Sequence, residues 1–179
     1  EKMSEVDTPT IVELIGRGGS YLWEFENFGL TFPGYYAMLA VGHMNKFGTK
    51  EEHMAKVAVK NHYYGAINKN AYLKKEITVD EVLASRVIAW PLKLFDCCPI
   101  NDGAAAIILA SEEKAKKITD TPIWVRGLGA AGESGNMSKR PDFYGIRSST
   151  LAAQQAFRMA GIGPEDIDVA TVHDCFTIA

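Results

Sequence analysis

His173 and Cys175 stand two residues apart in the run His173-Asp174-Cys175-Phe176. They follow Asp168–Val172, a segment whose apolar content predicts a strand. Open α/β sheets place their clefts beyond the carboxyl ends of strands, so a loop here could turn both side chains into one cavity. An imidazole and a thiol in that position could exchange protons with a substrate. Cysteine does this work only as thiolate, so a pKa of about 8.5 must be lowered by a neighbouring cation, metal or helix N-terminus. A buried structural cysteine has the same spacing. The spacing alone leaves both roles open.

A second candidate is Cys97-Cys98-Pro99, just before the turn Asn101-Asp102-Gly103. Adjacent cysteines can form a redox pair, but they are more often small, soft core residues. The small residues that follow permit close backbone approach, which suits the wall of a binding site better than redox chemistry. Gly127-Leu128-Gly129-Ala130-Ala131-Gly132 is a literal GxGxxG. A dinucleotide site also needs a helix to start there and an acidic residue about 20 positions on. Glu133-Ser134-Gly135-Asn136 and then Pro141 follow instead. The run reads as a glycine-rich strand exit. His43, His53 and His62 match neither HExxH nor zinc-finger spacing, and no metal site is expected.

These residues need elements to hold them. Residues 1–20 are polar, and Gly16, Gly18 and Gly19 suggest a loop. Residues 21–36 hold seven aromatics, including Tyr35 and Tyr36, whose hydroxyls need partners if buried. That belt suits an acyl or ligand channel, a subunit interface or ordinary packing equally well. From Tyr36 to Tyr64 the pattern is helical, with a capping box at Thr49-Lys50-Glu51-Glu52 and Met54, Val57, Ala58 and Asn61 on one face. Thr78-Val79-Asp80-Glu81 opens a short helix towards Ser85. Strands are predicted at Arg86–Leu92, Ala104–Leu109, Pro122–Leu128 and Asp168–Val172. Helices are predicted over Glu112–Ile118, capped by Ser111, and from Ser148 or Ser149 to Ala160, stopped by Gly161. The alternation argues for a largely buried sheet covered by helices, an α/β architecture.

Composition removes other classes. The 179 residues carry 19 Lys and Arg against 22 Asp and Glu, a net charge of −3, which excludes a general nucleic-acid binder. At 47% hydrophobic and 23% charged residues the chain is globular rather than disordered. No apolar run approaches the roughly 18 residues of a membrane span. Three cysteines make no disulfide framework and fit a reducing, cytoplasmic compartment.

Taken together, Cys97-Cys98-Pro99-Ile100-Asn101-Asp102-Gly103-Ala104-Ala105-Ala106 and His173-Asp174-Cys175-Phe176 resemble the thiolases of the sterol-carrier-protein type, including their archaeal and bacterial acetyl-CoA acetyltransferase-like members. Glu1-Lys2-Met3-Ser4 looks like the end of the strand-and-loop after the nucleophile helix. The run over residues 161–168 and the helix after Phe47-Gly48-Thr49 also fit. The resemblance implies a layered αβαβα fold of which the middle is present. Residues 1–20 and 94–128 would belong to the first half, 21–93 to an inserted helical loop domain, and 129–179 to the start of the second half. It implies Claisen condensation of two acetyl-CoA to acetoacetyl-CoA, or thiolysis of 3-ketoacyl-CoA, with coenzyme A thioesters as substrates and no bound cofactor. Cys175 would be the acid/base and His173 part of the oxyanion hole. Tyr35, Tyr36, Met38, Cys98 and Pro99 would line the acyl-CoA wall.

The resemblance also implies a nucleophilic cysteine upstream of Glu1 and a Gly-His-Pro loop downstream of Ala179. These 179 residues are then expected to be inactive alone, the middle of a chain about twice as long, because nucleophile and activator must lie within hydrogen-bond reach. The family implies a homodimer or tetramer. Archaeal members also imply an assembly with hydroxymethylglutaryl-CoA synthase and a zinc-ribbon scaffold protein, in the mevalonate pathway. A competing expectation is a non-catalytic, coenzyme A-binding scaffold subunit.

Overall fold

The computed structural model describes residues 3–179; Glu1 and Lys2, part of the expected strand-and-loop, lie outside the described residues. The chain forms two units. One comprises Asp102–Glu133 and Ile146–Ala170; the other comprises the chain up to Asn101, Ser134–Gly145 and Thr171–Ala179. Both motifs with candidate chemistry, 97–99 and 173–176, fall in the second.

That unit is mainly helical, and its helices follow local capping chemistry. Helix α1, Thr8–Gly16, occupies part of the expected loop. Asp7 accepts the N–H of Thr10 at 2.9 Å, and Pro9 suits the first turn because its missing N–H would have no partner there. The glycines end this helix rather than preclude it. A π-helical turn, Tyr21–Asn27, leads to α2, Phe32–Phe47. Thr31 caps α2 by accepting the Gly34 N–H at 3.1 Å, and Gly48 ends it at φ 71°, a conformation glycine adopts without steric cost. The helical region expected from Tyr36 to Tyr64 is thus two helices, divided near the expected cap at Thr49.

Helix α3, Glu51–Ile67, starts one residue later than the Thr49 box predicts. The Thr49 hydroxyl is instead paired with His43 Nδ1 at 2.7 Å. Helix α4, Val79–Ala84, carries the predicted box: Glu81 N–H to Thr78 Oγ1 at 3.2 Å and Thr78 N–H to Glu81 Oε2 at 2.8 Å. The strand expected over Arg86–Leu92 is shorter. Val87–Ala89 (β1) turns through a cis Trp90–Pro91 bond and pairs antiparallel with Leu92–Lys93 (β2), a place proline tolerates because it has no N–H to donate. A 3-10 turn, Leu94–Asp96, then delivers the chain to Cys97.

Two small cores hold this unit. Ala37 and Ala40 of α2, Met54 of α3, Leu92 and Phe176 form one, with Tyr36, Cys97 and Cys175 packed against it. Ala55 and Ala58 of α3, Ile77 and Val82 form the other. Fully burying Leu92 contributes about 1.5–3 kcal/mol. The cysteine motifs therefore sit at the edge of a core, where packing fixes their backbone.

In the other unit, α5 spans Glu112–Ile118, with the Ser111 hydroxyl accepting the Lys114 N–H. Helix α6, Arg147–Ala160, ends at Gly161, φ 71°, as predicted. Neither serine caps it: Ile146 holds that position, and Ser148 donates to Glu133 at 3.2 Å. Ala104–Leu109, Pro122–Leu128 and Asp168–Val172 form no strands. Ile107, Ile108 and Ile123 are 85%, 92% and 94% exposed, so the expected buried strands are corrected. A buried strand needs ladder partners on its edges and layers on its faces, and apolar composition supplies neither. Among the described residues β1–β2 is the one strand ladder. Gly127 and Gly129 lie against α6, where a Cβ would collide with the carbonyls of Ala156 and Ala152. Close packing, not a nucleotide, explains those glycines. No helix of the described residues is long and apolar enough to cross a membrane.

Candidate active site

The two cysteine motifs, far apart in sequence, meet as a short antiparallel pairing. Cys97 is bridged to Phe176. The Cys98 N–H donates to the Cys175 carbonyl at 3.0 Å, and the Thr177 N–H donates to the Asp96 carbonyl at 3.0 Å. Cys98 thus stands opposite Cys175. Asp96, 4% exposed, locks the register: its carboxylate accepts the Thr177 hydroxyl at 2.7 Å and the Lys93 N–H at 2.8 Å.

Helix α2 brings Tyr36 to this junction. Its ring stacks on Phe176 with centroids 4.4 Å apart, and the Cys175 thiol lies beside its hydroxyl. Burial pushes the Tyr36 phenol far above its ordinary pKa, and the Cys175, Tyr35 and Cys98 groups beside it add to that. The phenol stays protonated at any working pH. Tyr35 lies beside Tyr36, its hydroxyl accepting from the Arg140 guanidinium at 3.2 Å. Asp174 turns towards α3, where it accepts the Asn61 amide at 2.5 Å with the Lys60 ammonium 4.0 Å away. His173 is exposed.

Cys98 and Pro99 line a cleft of about 540 Å³ together with Cys97, Asn101, Asp174 and His62. Met38 lines a different cleft of about 600 Å³, with Val41, Ala89, Trp90 and Phe143. The structure therefore gathers Tyr36, Cys98, Pro99 and Cys175 and sets Met38 apart. Asn61 and Asp96 are the residues that sequence reasoning missed. Asn61 was legible only as one position on a helical face, and nothing local marks Asp96 as the partner of Thr177. His62 is committed locally, its Nδ1 donating to the Lys75 carbonyl at 2.7 Å, and His53 accepts the Lys50 N–H at 3.3 Å. Among the described residues no group of three or more His, Cys, Asp or Glu could hold a metal ion.

The Cys175 backbone is thus paired with that of Cys98, a residue that lines the cleft. Residues 129–179 match the family described as Thiolase C-terminal domain-like. The acetyl-CoA acetyltransferase of Methanothermobacter thermautotrophicus is 42% identical over 178 residues, 99% of this chain and 46% of that protein. Sterol carrier protein 2 of Oryctolagus cuniculus is 37% identical over 160 residues, 81% of this chain and 27% of that protein. A chain of the Ltp2-ChsH2(DUF35) aldolase superposes with a TM-score of 0.82 at 31% identity, covering 89% of this chain and 43% of the other. The chain thus spans less than half the length of the relatives it matches. Its α/β fold is thiolase-like, and with relatives along nearly its whole length the chain belongs to the thiolase family, of the sterol-carrier-protein type.

Proposed function

We propose that the protein is a thiolase-type acyltransferase, joining two acetyl-CoA molecules into acetoacetyl-CoA or cleaving 3-ketoacyl-CoA in reverse. The observation that carries this reading is the meeting of Cys98 and Cys175 on paired backbone, with the Tyr36 ring packed on the neighbouring Phe176. In the forward direction the Cys175 thiolate takes a methyl proton from acetyl-CoA. The resulting carbanion attacks an acyl thioester carried on another cysteine, so that a C–C bond forms and that sulfur leaves as thiolate. His173 would donate to the oxygen on which charge develops. Cys98, Pro99 and Tyr36 are the acyl-CoA wall in this reading, with residues 21–93 as the loop domain that supplies it. The name of the structural neighbour joins two components, which supports a partner subunit in an acyl-CoA assembly here too.

The test is cleavage of acetoacetyl-CoA by coenzyme A, using protein expressed from its complete gene. Turnover lost in Cys175→Ala supports the assignment. Turnover unchanged in that variant removes Cys175 from the chemistry. A folded protein that binds coenzyme A thioesters without turnover is a scaffold instead.

A further inference from the structure

We infer that Asn61 is a positioning residue for the loop that carries His173 and Cys175, holding it against α3 through the intervening Asp174. The inference rests on the reading of His173 and Cys175 as reacting groups and deepens it.

The Asn61 amide donates to the Asp174 carboxylate at 2.5 Å. A carboxylate only accepts, so the amide nitrogen must face it. A hydrogen bond to an ionised acceptor is shorter and stronger than one between neutral groups. The Asp174 side chain is 21% exposed, and the Lys60 ammonium, 4.0 Å away, adds to the attraction. The backbone pairing engages the loop from Cys175 onward, where the Cys175 carbonyl accepts the Cys98 N–H and the Thr177 N–H reaches the Asp96 carbonyl. Asn61 engages it one residue earlier, between the two side chains with candidate chemistry. His62, next on α3, holds the other arm. Its Nδ1 donates to the Lys75 carbonyl, and its ring stands edge-on to Phe95 in the turn that delivers Cys97. Three consecutive residues of α3 thus touch both arms of the pairing.

Packing does not require Asn61. Met54, Ala55 and Ala58 are the α3 residues that build the cores, whereas Asn61 is exposed on the cleft that Cys98, Pro99 and Asp174 also line. Substituting it opens no cavity, so the loss falls on where the loop sits. A reacting group displaced by about 1 Å can slow a reaction about a hundredfold.

The experiment uses protein expressed from its complete gene. It measures kcat and KM for acetoacetyl-CoA cleavage, and the backbone amide exchange of residues 97–98 and 173–177 by peptide mass spectrometry. Asn61→Asp keeps the shape but sets a second carboxylate against Asp174. It is expected to lower kcat by about tenfold to a hundredfold, to leave KM for coenzyme A unchanged and to speed exchange in these peptides. The exchanged pair, Asn61→Asp with Asp174→Asn, rebuilds the bond with donor and acceptor reversed and is expected to recover most of the loss. A thermal melt of each variant confirms folding. An unchanged kcat in folded Asn61→Asp, or a change confined to KM, overturns the proposal. So does an exchanged pair no better than the single variant. Where the unsubstituted protein does not cleave acetoacetyl-CoA, the proposed reaction falls and amide exchange judges the loop. Faster exchange that the exchanged pair reverses sustains the hold of Asn61 on Asp174, and exchange identical in all proteins overturns that as well.

Discussion

Asp96 and Thr177 are joined twice, by a backbone bond of 3.0 Å and by a hydroxyl-to-carboxylate bond of 2.7 Å. The pair lies one position outside the bridge between Cys97 and Phe176, and so sets the register that puts Cys98 opposite Cys175. Because Asp96 is buried, its partners decide whether its charge is tolerated. Thr177→Val keeps the shape and removes one donor to the carboxylate. The expected loss is about 1.5–3 kcal/mol of stability, read from the urea midpoint. Thr177→Ser, which restores a hydroxyl, is expected to recover most of it. A loss in Thr177→Ser with none in Thr177→Val would mean that the methyl, not the hydroxyl, holds this junction.

Glu24 is a buried carboxylate with a different task. It accepts the N–H groups of Met137 at 3.0 Å and Ser138 at 2.9 Å, capping the 3-10 turn Met137–Lys139. That turn leads into Arg140, the partner of Tyr35, so Glu24 supports the site at one remove. Burial pushes its carboxyl up, but the Ser138 and Met137 N–H groups outweigh this and hold it below the ordinary carboxylate value. A folded-state value below the unfolded one gives stability that is present at neutral pH and lost as pH falls through the folded value. Glu24→Gln is therefore expected to lower stability by about 1–2 kcal/mol at pH 7, the charge-assisted part of these bonds. The gap between the two proteins should close as pH falls below the ordinary carboxylate range and through the folded value. Urea titrations at neutral and at acid pH check this, and a gap that is the same at each refutes it.

What the sequence shows of this structure divides by the range of the interaction. The Thr78–Glu81 box, the Ser111 cap and the Gly161 stop are legible because each is settled within four residues. The Thr49 cap is not, since its hydroxyl is taken by His43 from α2, a choice that depends on how two helices meet. Ile107, Ile108 and Ile123 read as strand interior because their apolarity suits one, yet ladder pairing is a property of neighbours. The site divides in the same way. Cys175 and Cys98 stand out through their motifs, and Tyr36 through a hydroxyl that burial obliges to find a partner. That its ring packs on Phe176, next to Cys175, depends on a contact between residues far apart in the chain, and no local pattern encodes it. Gly129 shows the reverse error. Its motif suggests phosphate, but its lack of a side chain serves contact with the Ala152 carbonyl.

Cys97 and Cys98 are adjacent but are expected to react differently. Cys97 is half-buried, and its Sγ is 3.4 Å from the Lys93 carbonyl, to which it donates. Burial, with Asp96 and Cys98 adding negative potential, pushes its pKa up to about 11. At pH 8 roughly one molecule in a thousand then carries the Cys97 thiolate, against about a quarter for an ordinary cysteine of pKa near 8.5. Alkylation of Cys97 by iodoacetamide in the native protein should accordingly run about 200-fold slower than that of a free cysteine at pH 8. It should gain roughly tenfold per pH unit and level off only near pH 11. Peptide-resolved mass spectrometry separates the two cysteines through the distinct fragments of residues 97 and 98. A Cys97 rate that is already level by pH 9 would show that its sulfur is better solvated than its place beside Asp96 and the Phe176 core implies.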